Sequence, residues 1–168
     1  LYDDIEKHGG KPIMWKAGHS LIKAKMKSTG AVVAGEMSGH MFFADRYYGY
    51  DDAIYASLRL MEFLSKSRNR ISTILSDGPK MYATPEIRTP VASDKLKFRI
   101  VKKAQKRFAK DFKVNTVDGA RIRFEDGWGL VRASNTQPLL ITRYEAKSPK
   151  SLREIQEFVE AEIEKLSK

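Results

Sequence analysis

The chain has no cysteine among its 168 residues. That excludes disulfides, thiolate zinc sites and thiol nucleophiles, and it fits a cytoplasmic protein. No apolar run approaches the roughly 20 residues that cross a bilayer, so no membrane partner is expected. The first residues, Leu1-Tyr2-Asp3-Asp4, are acidic and polar where a secretory signal would be basic and then apolar. A start at Leu rather than Met reads as an internal cut or a trimmed chain. Internal repeats, low-complexity tracts and a P-loop of the Gly-x-x-x-x-Gly-Lys type are also missing. What remains is an ordinary globular composition, 42% hydrophobic and 31% charged, enough for one domain or two small ones.

Charge is unevenly spread. The net charge is +10, with +3 before Met81 and +7 from Met81 on. A basic surface draws nucleic acid, and equally a small polyanion such as a sugar phosphate. Much of the excess lies between Lys95 and Lys113 in an apparent helix, where a solvated face is favoured over a docking site. Aromatic-rich strands of the RNA-recognition type are missing and the basic residues are widely spread, so no nucleic-acid partner is expected.

Along the chain, Pro12 to Trp15 predicts a short strand and His19 to Lys27 an amphipathic helix ending near Gly30. The wholly apolar Ala31 to Ala34 has the pattern of a buried strand, and a second apolar stretch follows at Met41-Phe42-Phe43. Asp51 or Asp52 can cap a helix with Ile54, Leu58, Met61 and Leu64 on one stripe. Asp77-Gly78-Pro79 signals a turn near a domain boundary. Met81 to Ala92, with Pro85 and Pro90, suits an edge or linker strand. A helix capped by Asp94 is expected to run to about Ala109, with Phe98, Val101 and Phe108 inward. Strands at 114–117 and 120–125 flank the hairpin signal Asp118-Gly119. Two more follow at 128–133 and 139–145, and Ser148-Pro149 opens a last helix carrying Leu152, Ile155, Val159, Ile163 and Leu166. The expected fold is an α/β domain over 1–80 (partial, a mixed sheet with helices). An α+β domain over 81–168 follows, with an antiparallel sheet and helices on one face.

Two loops carry chemistry. Gly35-Glu36-Met37-Ser38-Gly39-His40 follows a predicted strand, where α/β proteins place ligands. Its carboxylate, hydroxyl and imidazole suit a polyol, and His40 can also move a proton. Taken alone, they suit equally a turn whose polar groups cap neighbouring backbone. Arg132-Ala133-Ser134-Asn135-Thr136-Gln137-Pro138, with Arg143 beyond, gathers a guanidinium, hydroxyls, an amide and loop N–H groups. A phosphate wants such a set, although a polar turn stopped by Pro138 explains it too. Lys16 and His19 form a weaker third feature that could meet an anion at a helix start.

Together these motifs resemble the α-D-phosphohexomutase superfamily, most closely its bacterial phosphomannomutase/phosphoglucomutase branch. Residues 35–40 match the sugar-binding loop of that family's third domain and 132–138 the phosphate-binding loop of its fourth. Trp15 to Lys23 and Met41 to Asp52 are similar in register, although Ala17 stands where relatives often carry Thr. Met37 and the Ser134–Pro138 loop differ from phosphoglucosamine mutases, the alternative within the superfamily.

The resemblance implies reversible phosphate transfer between C1 and C6 of a hexose through a phosphoserine and a 1,6-bisphosphate, assisted by Mg²⁺. It assigns the sugar to Lys16, His19, Glu36, Met37, Ser38, Gly39 and His40, with His40 catalytic. It assigns the phosphate to Arg132, Ser134, Asn135, Thr136 and Arg143. No metal ligand is assigned in this chain. The family's serine loop, Thr-Ala-Ser-His-Asn-Pro, and its metal loop, Asp-Gly-Asp-Gly-Asp-Arg, do not occur in it. The implied partners are a mannose or glucose phosphate and the missing N-terminal domains, and the chain alone is expected to be inactive.

Overall fold

The computed structural model of the protein describes residues 1–76 and 78–167. They form two compact units, one ending at Gly78 and the other beginning at Pro79.

The first unit opens with a short helix not foreseen from the sequence, α1 (Tyr2–Lys7). The strand expected at Pro12 to Trp15 does not form. The Tyr2 hydroxyl donates to the Pro12 carbonyl at 2.8 Å and accepts from the Met14 N–H at 2.8 Å. Those groups are thereby withdrawn from any ladder, and Pro12 has no N–H to offer. Helix α2 (His19–Thr29) ends as expected on Gly30, whose left-handed φ of 69° favours a residue without Cβ. Its Ile22 and Met26 pack on Phe42, with Ala31 and Ala34 at the margin.

Strands β1 (Val33–Gly35) and β2 (Met41–Phe43) make one antiparallel pair, with Ala34 opposite Phe42. The α/β character stands, but this pair is the unit's sheet among the described residues. The buried strand expected at Ala31 to Ala34 is half open: Val32 and Val33 are 58% and 45% exposed. With a single partner strand, only the two alanines meet α2.

Helix α3 (Ala53–Lys66) is capped by Asp52, whose side chain accepts from the Tyr55 N–H at 2.9 Å. The expected stripe exists but lies in the open, with Ile54, Leu58 and Met61 exposed. The helix turns Tyr55 and Arg59 to the strands instead: Arg59 stacks 4.8 Å over Phe43 and pairs with Asp45 at 3.0 Å. A one-turn helix, α4 (Ile71–Ile74), follows. The turn expected at Asp77-Gly78-Pro79 includes Asp77, which lies outside the described residues.

In the second unit β3 (Tyr82–Ala83) and β4 (Ile87–Pro90) are short edge strands, as the prolines require. Helix α5 (Asp94–Phe108) is followed by β5 (Lys113–Asn115), β6 (Ala120–Arg123), β7 (Gly127–Ala133), β8 (Leu139–Ala146) and α6 (Pro149–Ser167). All pairings are antiparallel, in the order β3-β8-β7-β6-β5, with β4 also on β8. At the Asp118-Gly119 turn Gly119 has φ 91°, and a Cβ there would collide with the Val131 carbonyl.

Helices α5 and α6 cover one face, bringing Ile100, Ala104, Phe108, Ile155 and Val159 against Ile122, Val131, Leu140 and Tyr144. Two expectations fail within α5. Ser93, not Asp94, is the cap, accepting from the Leu96 N–H. Phe98 is 56% exposed, while Lys97 is buried one residue earlier. That burial is tolerated because the ammonium bonds Asp94 at 2.6 Å and the Gln137 carbonyl at 2.8 Å. Among the described residues no helix is long and apolar enough to cross a membrane.

Candidate functional site

In the first unit the loop 35–40 is a β-hairpin turn. The Glu36 N–H donates to the His40 carbonyl at 2.9 Å and the Gly39 N–H to the Glu36 carbonyl at 3.0 Å. Gly39 takes φ 94°, which leaves Met37-Ser38-Gly39 as a three-residue loop with the glycine at its left-handed position. Met37 and Ser38 are therefore exposed at the tip.

The hairpin brings together three of the side chains expected at the site, Glu36, His19 and His40. Glu36 reaches the start of α2, where one carboxylate oxygen accepts from the Gly18 N–H at 2.7 Å and the other from the Ser38 hydroxyl at 3.3 Å. A carboxylate at a helix N-terminus meets an unsatisfied donor and the positive end of the helix dipole. His19, the first residue of α2, lies with its ring 4.6 Å from that of His40 and 5.3 Å from that of Phe42. Lys16 is exposed on the segment leading into that helix.

His40 has a partner that sequence reasoning missed. Its Nδ1 lies 2.7 Å from Asp51, whose other oxygen accepts from the Met41 N–H at 3.1 Å. Desolvation pushes the Asp51 carboxyl up. The bonds from His40 and Met41 and the charge of the two imidazoles outweigh it, and the carboxyl sits below its ordinary value. The signal was the pair Asp51-Asp52: one carboxylate suffices as a cap, and Asp52 takes that role, leaving Asp51 to face the loop.

In the second unit the loop 132–138 joins β7 to β8. Ser134 is buried and its hydroxyl accepts from the N–H groups of Thr136 and Gln137 at 3.3 and 3.2 Å, which shapes the loop from within. Asn135 and Thr136 are exposed at the tip. Lys97 props the loop from below through the Gln137 carbonyl.

Arg132 and Arg143 are brought to one face. Arg132 lies opposite Ile141 and Arg143 opposite Leu130, which makes the two arginines diagonal neighbours. Arg132 pairs only loosely with Asp118, at 3.8 Å, and the buried Nε of Arg143 has no hydrogen-bond partner. The same alternation puts Arg88, Arg121 and Arg123 on this face, away from α5 and α6. Sequence reasoning passed over them, although their spacing of two along β6 was legible. Burial pushes the Arg121 guanidinium down from its ordinary value, against the pull of Glu145, and it stacks 4.4 Å over Trp128.

A cavity of about 510 Å³ lies elsewhere in this unit, by β4, α5 and α6. Leu96, Ile100, Leu140 and Ile163 line it, with glutamates but no cation among the described residues, so it is not where a phosphate would be held.

The family model described as phosphoglucomutase/phosphomannomutase, alpha/beta/alpha domain III, matches residues 1–82. The model of that family's C-terminal domain matches residues 86–162. A phosphomannomutase/phosphoglucomutase of Pseudomonas syringae pv. tomato is 46% identical over 97% of this chain and 35% of its own length. A phosphoglucomutase of Neisseria gonorrhoeae is 44% identical over 95% of this chain and 35% of its own. The crystal structure of a phosphoglucomutase/phosphomannomutase family protein from Burkholderia thailandensis superposes with a TM-score of 0.84 at 40% identity. That match covers 96% of this chain and 34% of that one. The two units thus define a portion of an α-D-phosphohexomutase. The chain belongs to the phosphoglucomutase/phosphomannomutase family, spanning its domain III and C-terminal domain matches and about a third of the length of these relatives.

Proposed function

We infer that the chain is the substrate-recognition part of a cytoplasmic phosphomannomutase/phosphoglucomutase that interconverts hexose 1-phosphate and hexose 6-phosphate. The carrying observation is the cluster of Glu36, His19 and His40, with His40 oriented by Asp51 at 2.7 Å, in a chain of this family. Phosphate exchange between C1 and C6 through a 1,6-bisphosphate requires the sugar to be held in two opposite orientations. Hydroxyls near the middle of the ring must then be recognised by groups that can both donate and accept.

Ser38 and the two imidazoles do both, and Glu36 accepts. With Nδ1 engaged by Asp51, His40 presents Nε2 for proton exchange with a sugar hydroxyl. Arg132 and Arg143, with the loop residues Ser134, Asn135 and Thr136, hold the phosphate that is not reacting. Lys16 and Met37 complete the sugar side. The phosphoserine belongs to the upstream domains of the parent enzyme.

So does Mg²⁺. That ion prefers carboxylate, carbonyl and water oxygens in octahedral geometry. Among the described residues the one group of three or more candidate ligands is His19, Glu36 and His40. This donor set does not fit Mg²⁺, and no step in this chain runs through it.

Replacing Arg132 by Ala in the full-length enzyme removes a charge-assisted contact worth roughly 1.5–3 kcal/mol. The expected result is a KM for mannose 1-phosphate and glucose 1-phosphate raised about 10- to 100-fold. An unchanged KM for both would reject the anchor role. The 168-residue chain alone should show no turnover of mannose 1-phosphate above a protein-free control.

A further inference from the structure

The same cluster has a second chemistry. One ligand atom from each of His19, Glu36 and His40 lies within 4.8 Å of the other two. Two imidazoles and a carboxylate are poor company for Mg²⁺ but a common donor set for Zn²⁺ and its neighbours, with three protein ligands and a position left for water. Around a tetrahedral ion with bonds of about 2.0–2.1 Å, neighbouring donors sit about 3.3–3.4 Å apart. The widest-spaced of the three donors therefore need to close by up to about 1.5 Å. Rotation of half-exposed side chains supplies that: His19 and His40 are 47% and 43% exposed.

A second observation supports the site independently of the spacing. Asp51 holds Nδ1 of His40 at 2.7 Å and is itself fixed by the Met41 N–H. A carboxylate behind a histidine is the arrangement that sets tautomer and ring orientation in metal sites, leaving Nε2 to ligate. Glu36 is held in place by the Gly18 N–H at 2.7 Å and keeps lone pairs on both oxygens. The donors also come from different elements: the start of α2, the hairpin turn and the edge of β2. The fold therefore brings them near one another before any ion arrives.

We propose that His19, Glu36 and His40 form a binding site for a divalent transition metal ion of the Zn²⁺ type, oriented by Asp51, and that this ion and a hexose phosphate exclude one another. The second clause rests on the sugar-recognition reading above; the first does not. In the parent enzyme the ion would act as an inhibitor competitive with sugar phosphate, acting here and not at the Mg²⁺ site.

The test is titration of the purified chain with Zn²⁺ by calorimetry and with Co²⁺ by visible absorption, which reads ligation on the unmutated protein. One-to-one binding is expected, with a Co²⁺ spectrum of low coordination number. His19→Gln, His40→Gln and Glu36→Gln should each weaken it at least about 10-fold, and Asp51→Asn about 10- to 100-fold. Far-UV circular dichroism checks that each variant is folded. The chain has three histidines, and His8, paired with Asp4 on α1, is the control: His8→Gln should change nothing. Unaltered affinity in the folded loop variants, loss of binding in His8→Gln, or a featureless Co²⁺ spectrum would each overturn the site. Millimolar mannose 1-phosphate should raise the apparent Kd for Zn²⁺. Metal binding that is lost in the loop variants yet indifferent to the sugar phosphate would keep the metal site and reject the sugar reading.

Discussion

The two units solve the burial problem differently. The second has a continuous core: two helices lie on one face of an antiparallel sheet, and Ile100, Ala104, Phe108, Ile122, Val131, Tyr144 and Val159 are fully buried. The first rests on Ile22, Met26 and Phe42, and its helix α3 leaves Ile54, Leu58 and Met61 in the open. What the first unit lacks in apolar packing it makes up partly with polar ties. Arg46 and Lys66 both bond Glu62, Arg59 bonds Asp45, and Tyr47 bonds Asp52 at 2.6 Å. The lesson concerns sites as much as stability. The loop 132–138 sits on a packed scaffold, whereas the loop 35–40 is held largely by hydrogen bonds of its own polar groups.

That contrast can be broken experimentally. Phe108→Ala should cost the second unit about 3–5 kcal/mol, since a fully buried ring is lost. In a thermal melt followed by calorimetry the transition of the first unit should stay where it was; a common shift would show that the units do not melt separately. Lys97→Met should cost about 1–3 kcal/mol, because the Gln137 carbonyl loses its donor while the exposed Asp94 is resolvated. Amide exchange should quicken in the loop 134–137 before it does elsewhere. Loss of a cap should cost each unit about 1 kcal/mol, through Asp52→Ala in the first and Ser93→Ala in the second.

The polar ties also predict a pH dependence. The bonds from Arg46 and then Lys66 hold the Glu62 carboxyl down at about 2, against an ordinary 4.5. A depressed carboxyl stabilises the fold fully above its unfolded value and loses that contribution as pH falls through the folded value. The first unit should thus soften between pH 4.5 and 2, and less so at high salt, which screens the ion pairs. Glu62→Gln should flatten that part of the profile; an unchanged acid limb would put the network's role elsewhere. The smallest effect is expected at the open stripe of α3, where Leu58→Gln should shift stability by no more than about 0.5 kcal/mol.

Much of the second unit was legible in the sequence, because its signals are local: Asp118-Gly119, Ser148-Pro149 and the spacing of Ile155, Val159 and Ile163. The differences lie where a group from elsewhere in the chain overrides a local pattern. The Tyr2 hydroxyl claims the backbone around Pro12 to Met14, and the Gln137 carbonyl makes a buried Lys97 affordable where Phe98 was expected inward. In the first unit periodicity correctly found α3 but could not say which face would be covered, since that depends on the strands it meets.

By itself the sequence determined the element order of the second unit, the positions of both loops and the family they resemble. Residue types and turn signals are local, and motif order survives without coordinates. Only the tertiary structure decided that Asp51 stands behind His40 while Asp52 caps the helix, that Ser134 shapes its loop from within, and that alternate strand positions bring five arginines to one face. Each of these depends on which residue lies across a strand pair or at a helix end. Sequence spacing does not contain that information, because hydrogen-bond register and side-chain packing fix it together.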